Sequence, residues 1–287
     1  TLTVVGTAVA WGFEGHTMVG RAAAAGLPAD MPAFFTGAAD QLAYLNPEPD
    51  RWRDDELSYM NEAWAYDHYI DLENVPDGAL DSSNRFDYLE ALYAAGVEAP
   101  HQRAGFLPYR IHELYQRLTT GFARWRLVES EEERTWIEDR IISDAGILGH
   151  YVADASNPHH TTIHYNGWAE GAPNPEAYTT SSDFHWRFES EFVSAHIGYD
   201  DVARAVPGGV EAPADAWTAI LDFIMETHQL VVPLYELEKR YGFETDWTPS
   251  ETKAFAVDRL AAGAVMLRAL WYGAWVESAA LAARDER

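Results

Sequence analysis

Apolar positions along this chain recur every three or four residues and almost nowhere every two. That period belongs to helices with one buried face, not to strands. The clearest run begins at Ser130-Glu-Glu-Glu. There Ser130 and Glu133 form a capping box, and further acids sit in the first turn against the positive end of the helix dipole. Trp136, Ile137, Ile141, Ala145, Leu148 and Val152 then repeat at helical spacing, which predicts a helix over about 130–155. Helices are also predicted over 15–25 and over 31–45, the latter stopping before Pro47 and Pro49. A helix over 82–95 opens on Ser-Ser-Asn and closes at Gly96, and Pro108 opens another that runs to about Arg126. Residues 157–182, rich in Pro, Gly, Asn and Thr, read as loop. Helices resume over 183–194, 213–241 and 250–284, with Pro233 expected to kink or split the middle one. No strand alternation, βαβ pattern or internal repeat interrupts them. The expected class is all-α: one helical bundle over 11–287, with long loops gathered round a metal cluster.

Composition adds three constraints. An apolar fraction of 47% with 11 tryptophans in 287 residues supports a well-packed core and excludes a disordered chain. The net charge is −26, from 46 acids against 20 bases, and only Lys239 and Lys253 are lysines. Such a field repels polyanions at long range, so a nucleic-acid substrate needs cations at the site. The same acidity suits salty surroundings; on that hypothesis the fold should need salt, and equal stability without it would count against the idea. Cysteine is absent, which excludes disulfides and thiolate metal sites. Residues 1–10, ending Ala8-Val9-Ala10 just before Trp11, read as the remnant of a signal peptide with an A-x-A cleavage site. That reading implies a secreted or periplasmic protein. No run of 18 or more apolar residues follows it, so no transmembrane segment is expected.

Candidate chemistry concentrates in Leu148-Gly-His-Tyr-Val-Ala-Asp-Ala-Ser-Asn-Pro-His-His160. His150 and Asp154 are four apart and share a helix face, and Pro158 turns the chain so that His160 can return to the same region. Imidazole with carboxylate is what zinc takes where thiolate is missing. A second four-residue pair, His185 and Glu189, follows the 157–182 loop. Upstream lie His16 in Trp11-Gly-Phe-Glu-Gly-His, Asp50 in Asp-Arg-Trp-Arg53, and His68 in Asp67-His-Tyr-Ile-Asp. A single His–acid pair on a helix is ordinarily a hydrogen bond or an exposed ion pair. Two pairs and a Pro-His-His turn in one cysteine-free helical chain point to a metal site.

The order Trp-x4-His, Asp-x-x-Arg, His-Tyr-Ile-Asp, His-x3-Asp-x5-His and His-x3-Glu resembles the zinc-dependent phospholipase C and single-strand-specific nuclease superfamily, all-α enzymes with three zinc ions. The resemblance spans Trp11 to about Glu189. It implies a zinc-dependent phosphodiesterase acting on a phospholipid or a single-stranded nucleic acid, with no obligate protein partner. It further implies that Trp11 is the mature N-terminus and binds zinc through its amine and carbonyl, joined by His16. Asp154 would bridge two zincs, with Asp50, His68 and His150 completing the second. His160, His185 and Glu189 would hold the third. Glu189 is the phospholipase-like choice where nucleases more often have Asp. Asp50 is preferred over Asp54 because it reproduces Asp-x-x-Arg, with Arg53 available to hold phosphate. Clustered zinc acidifies water and neutralises phosphoryl oxygens, and Asp50 could also orient or deprotonate that water. Glu14 and Tyr69 are the candidate substrate contacts, for a choline or a stacked base.

Other residues are read as structural. His159 stands where the family often has an apolar residue, and His164 lies in the following loop. His112, His196 and His228 are expected as packed or solvated helix residues; His101 carries no signal, and Trp271, Tyr272 and Trp275 have core spacing. A non-enzymatic metal-binding helical protein is the competing class. A di-iron bundle fails because Glu98–His101, the only Glu-x-x-His, is interrupted by Pro100, and a serine hydrolase fails for want of Gly-x-Ser-x-Gly.

Overall fold

The computed structural model describes residues 11–285, so the Ala8-Val9-Ala10 motif lies outside the described residues. Seven helices carry most of the packing: α1 (Gly12–Ala24), α2 (Ala39–Leu45), α3 (Leu107–Leu127), α4 (Glu131–Ser156), α5 (Ala216–His228), α6 (Val231–Tyr241) and α7 (Ser250–Asp285). The expected all-α class holds, and among the described residues there is no strand, only an isolated antiparallel bridge between Ile70 and Gly105.

Local chemistry explains the ends of these helices. Ser130 Oγ accepts the amide of Glu133 to start α4. Pro108 sits in the first turn of α3, where its missing N–H costs nothing. In α7, Ala256, Leu260, Ala264, Leu267, Leu270, Trp271 and Ala274 are buried, giving an apolar face against α1, α3 and α4. Trp271 is wholly enclosed and its indole N–H donates to the Ala145 carbonyl of α4 at 3.2 Å. Truncating it to alanine would cost about 3–5 kcal/mol. Buried Arg268 donates to the Ala22 and Ala23 carbonyls, satisfying the C-terminal end of α1.

Two predicted helices are broken in ways the residues explain. The 31–45 segment divides into Ala33–Thr36 and α2, interrupted at Gly37 and Ala38. The 213–241 segment divides at Gln229 and Leu230. Proline lacks the N–H for a bond to the carbonyl four residues back and clashes with it, so the break falls at Gln229, four before Pro233. Pro233 itself sits harmlessly in the first turn of α6.

The last four turns of α4, from Ile141 to Ser156, are almost entirely buried among α1, α2, α3 and α7. Close approach there depends on small residues. A Cβ at Gly146 would lie 2.3 Å from the Leu45 Cβ, and one at Gly149 would lie 2.3 Å from the Asn46 amide nitrogen. The two glycines let α2 settle onto α4 and bring the short turn Glu48–Arg51 over its C-terminal half.

Candidate metal centre

Each candidate ligand is fixed by a different device. His150 and Asp154 share the inward face of the buried end of α4, and His16 faces them from α1. His68 sits in a bend just after a turn, in a stretch pinned on one side by Gly105. The amide of Phe106 donates to the Tyr66 carbonyl at 2.7 Å, and that of Leu107 to the Tyr69 carbonyl at 3.1 Å. Gly105 has φ +75°, and a Cβ there would lie 2.2 Å from the Tyr69 oxygen, so glycine is required. On the other side the stretch is locked to the turn after α4: Ile70 N–H donates to the His160 carbonyl at 2.9 Å, and His160 Nδ1 lies 2.6 Å from the His68 carbonyl. Glu189 lies in a π-helical turn, Arg187–Phe192, inserted between the short helices Phe184–Trp186 and Val193–His196. Such turns displace one residue from the regular helical register and are frequent at functional sites.

Three groups of donors result: His16, His150 and Asp154; Asp50, His68 and His150; and His160, His185 and Glu189. In the centre, His68 Nδ1 and His150 Nε2 lie 2.9 Å apart, and Asp154 Oδ2 is 3.1 Å from the first and 3.3 Å from the second. One proton can serve one edge of this triangle; a cation at its middle serves all three. Tetrahedral zinc, with bonds of about 2.0–2.1 Å, sets its donors roughly 3.3 Å apart. His16 Nε2 stands 3.4 Å from Asp154 Oδ1, and Asp50 Oδ1 stands 3.9 Å from His150 Nε2. In the third group His185 Nε2 is only 2.7 Å from Glu189 Oε2, close but out of line for a hydrogen bond, and His160 Nε2 is 3.7 Å from the same oxygen. His16 Nε2, both Asp50 oxygens, Asp154 Oδ1, His160 Nε2 and Glu189 Oε1 are buried without hydrogen-bond partners. Orphaned donors of this kind in a cysteine-free cluster fit a metal ion, and these buried groups could hold one.

Electrostatics sets the protonation. Burial disfavours the Asp154 charge, but His150, His160, His16 and His68 around it hold the carboxyl well below the usual carboxylate range. Burial also opposes the Glu189 charge, and His185 and His160 outweigh it. Burial lowers His68 to about 4 and drives His150 down too, so both rings are neutral donors near pH 7. Burial disfavours a charge on His160, yet Asp154 and Glu189 raise it to about 9. Burial pushes Asp50 up to about 7, offset in part by His16.

The carboxylate of Asp50 is buried at the cluster, whereas Asp54 is exposed and its Oδ1 accepts the Glu56 amide at 2.8 Å to cap a short turn. Arg53 Nη1 lies 3.7 Å from Asp50 Oδ1 and lines a cleft of about 230 Å³. His68, His160 and His185 form part of that cleft's wall, with Tyr69, Asp71 and Tyr165. The Tyr69 hydroxyl donates to the Gln102 carbonyl. Glu14 is exposed and lines a different groove with Phe13, Ile197 and Tyr199, so it is not brought to this cleft. Trp11 is buried, with its backbone nitrogen 3.0 Å from Glu189 Oε2, and its carbonyl accepts the Gly15 amide.

Two cleft residues were not put forward as site candidates from the sequence. His159 is buried in the wall, 4.5 Å from the His185 ring between centroids, with neither nitrogen hydrogen-bonded. Asp71 is buried with Oδ1 unpartnered. His159 stands at a position the family often fills with an apolar residue, and Asp71 closes the His-Tyr-Ile-Asp block without a role assigned to it. The remaining histidines have structural contacts: His164 stacks on Trp168, His196 Nε2 lies 2.7 Å from the Glu244 carbonyl, and His228 Nδ1 lies 2.9 Å from that of Thr161. His112 and His101 lie against Trp217 and Tyr66. Trp271 is core, and Tyr272 and Trp275 pack partly buried against it.

No family model, curated protein or solved structure matches the chain. No helix among the described residues is long and apolar enough to cross a membrane.

Proposed function

We propose that this chain is a secreted zinc-dependent phosphodiester hydrolase, phospholipase C-like or nuclease-like, with three zinc ions per chain. The observation that carries the reading is the convergence of three orphaned His/carboxylate groups beside one cleft that also holds an arginine. His16, Asp50, His68, His150, Asp154, His160, His185 and Glu189 would hold the metal, with Asp154 shared. Trp11 would join them once its nitrogen is a free amine, since a peptide N–H has no lone pair to give and can only donate, as it does to Glu189 here.

Zinc bound to such donors acidifies water and neutralises charge on phosphoryl oxygens. The chain's own groups supply the rest. Arg53 presents a guanidinium to the cleft, suited to a phosphate diester. Asp50, lifted to about 7 chiefly by burial, can orient a water or take its proton near neutral pH. Tyr69 on the cleft wall offers a ring face for a base or a quaternary ammonium. Glu14 does not face this cleft, which removes one argument for a choline headgroup.

The test is metal analysis of protein processed to begin at Trp11, with hydrolysis of phosphatidylcholine and single-stranded DNA measured with and without chelator. Three zincs and chelator-sensitive cleavage of either substrate are expected. Stoichiometric metal without turnover would instead favour a non-enzymatic metal-binding protein, and absence of metal would sink both.

A further inference from the structure

Asn46 is the residue that follows α2, and it is fully buried among the ligand-bearing helices. Its Oδ1 lies 3.0 Å from His16 Nδ1. The other ring nitrogen, His16 Nε2, points at Asp154 Oδ1 (3.4 Å) and Asp50 Oδ2 (4.0 Å) and has no hydrogen-bond partner. An amide oxygen only accepts, so this contact puts the hydrogen on Nδ1 and leaves the lone pair on Nε2. The ring plane is set separately, because His16 stacks on His150 with centroids 4.1 Å apart.

The pocket around Asn46 is cut to its shape. Its amide nitrogen lies 3.0 Å from where a Cβ on Gly20 would stand and 2.3 Å from where one on Gly149 would stand. A glycine from α1 and a glycine from α4 thus make room for one amide. That nitrogen has no hydrogen-bond partner, a cost that an apolar side chain would avoid. A neutral acceptor has one advantage here: Asp50 and Asp154 already place two buried carboxylates on the far side of the ring, and an amide orients His16 without adding a third.

We infer that Asn46 is a positioning residue that fixes the tautomer and orientation of His16, so that Nε2 is presented to a metal ion. The inference rests on the reading of His16 as a metal ligand. Partners of this kind behind a metal-binding histidine commonly control metal affinity by roughly 10- to 100-fold.

The experiment compares wild type with Asn46→Leu and Asn46→Asp by two readouts. In the metal-free protein at alkaline pH, nitrogen chemical shifts of His16 should report hydrogen on Nδ1 in wild type and in Asn46→Asp, and a mixture in Asn46→Leu. In competition with a chromophoric chelator, Asn46→Leu should bind its weakest zinc roughly 10- to 100-fold less tightly, with helical circular dichroism unchanged. Asn46→Asp should recover most of that loss. Hydrogen on His16 Nε2 in wild type would overturn the inference. So would zinc affinity in Asn46→Leu equal to wild type, or an Asn46→Asp variant as weak as Asn46→Leu. If Asn46→Leu does not fold, the wild-type shifts and Asn46→Asp still decide. Wild type that binds no zinc yet carries hydrogen on Nδ1 would remove the phosphodiesterase reading while leaving Asn46's hold on the ring supported.

Discussion

His68 Nδ1 and His150 Nε2 lie 2.9 Å apart with both rings buried, although 82 positions separate them along the chain. Asp154 Oδ2 completes the triangle, and it is the only full charge at its corners. Asp154→Asn keeps the shape and removes that charge. The variant should retain helical circular dichroism but lose at least one zinc by elemental analysis. Added zinc should raise the melting temperature of wild type, and most of that rise should be missing in the variant. Full zinc content in this variant would rule out Asp154 as the shared ligand.

Asp50 and Asp54 separate cleanly by environment. Asp50→Asn should reduce phosphodiester turnover by at least a hundredfold, the scale expected for loss of an acid–base group, while sparing the fold. Asp54→Asn should change neither turnover nor stability beyond about 0.5 kcal/mol, because asparagine caps the same turn. A larger loss from Asp54→Asn than from Asp50→Asn would reverse the assignment.

Asp71 gives a pH dependence with a definite sign. Burial, reinforced by Glu73, pushes its carboxyl up to about 8 against an ordinary 3.8, with His160 opposing. The folded chain therefore holds this proton more tightly than the unfolded chain. Its stabilising contribution is complete below pH 4 and is lost progressively as pH rises through 8. Asp71→Asn should melt well above wild type at pH 9, by the equivalent of a few kcal/mol, and close to wild type at pH 4. Denaturation at the two pH values settles it: an equal difference at both would contradict the argument.

His159 is a buried ring with no hydrogen-bond partner at either nitrogen, packed edge-on against Phe184. Burial lowers its pKa well below the usual value, so the neutral ring occupies the site. His159→Leu should stabilise the fold by about 1 kcal/mol in urea denaturation, since an apolar side chain leaves no polar atom unsatisfied. Destabilisation beyond about 1 kcal/mol would mean the ring has partners that protein atoms do not supply.

The long helices were legible because their signals are local. Ser130 and Glu133 mark the start of α4, the apolar face of α7 continues for 36 residues, and both agree with the observed bounds within a residue or two. The π-helical turn at Arg187–Phe192 was not legible, since a one-residue change of register leaves the His185–Glu189 spacing untouched. Asn46 was invisible for a similar reason. An asparagine after a helix is ordinary in sequence, and its meaning comes from Gly20 and Gly149, which are distant in the chain. Glu14, three residues after Trp11 in a helix that begins at Gly12, lines a groove other than the cleft, a placement its spacing from Trp11 did not reveal.

None of the candidate ligands lies on α7, yet α7 backs α1, α3 and α4, and α1 and α4 carry His16, His150 and Asp154. In a chain that folds as it is synthesised, every ligand emerges before the helix that holds their scaffold together. The centre therefore forms late, after contacts of long sequence separation have closed. A metal ion taken up by these ligands would then certify finished folding, and would not guide it.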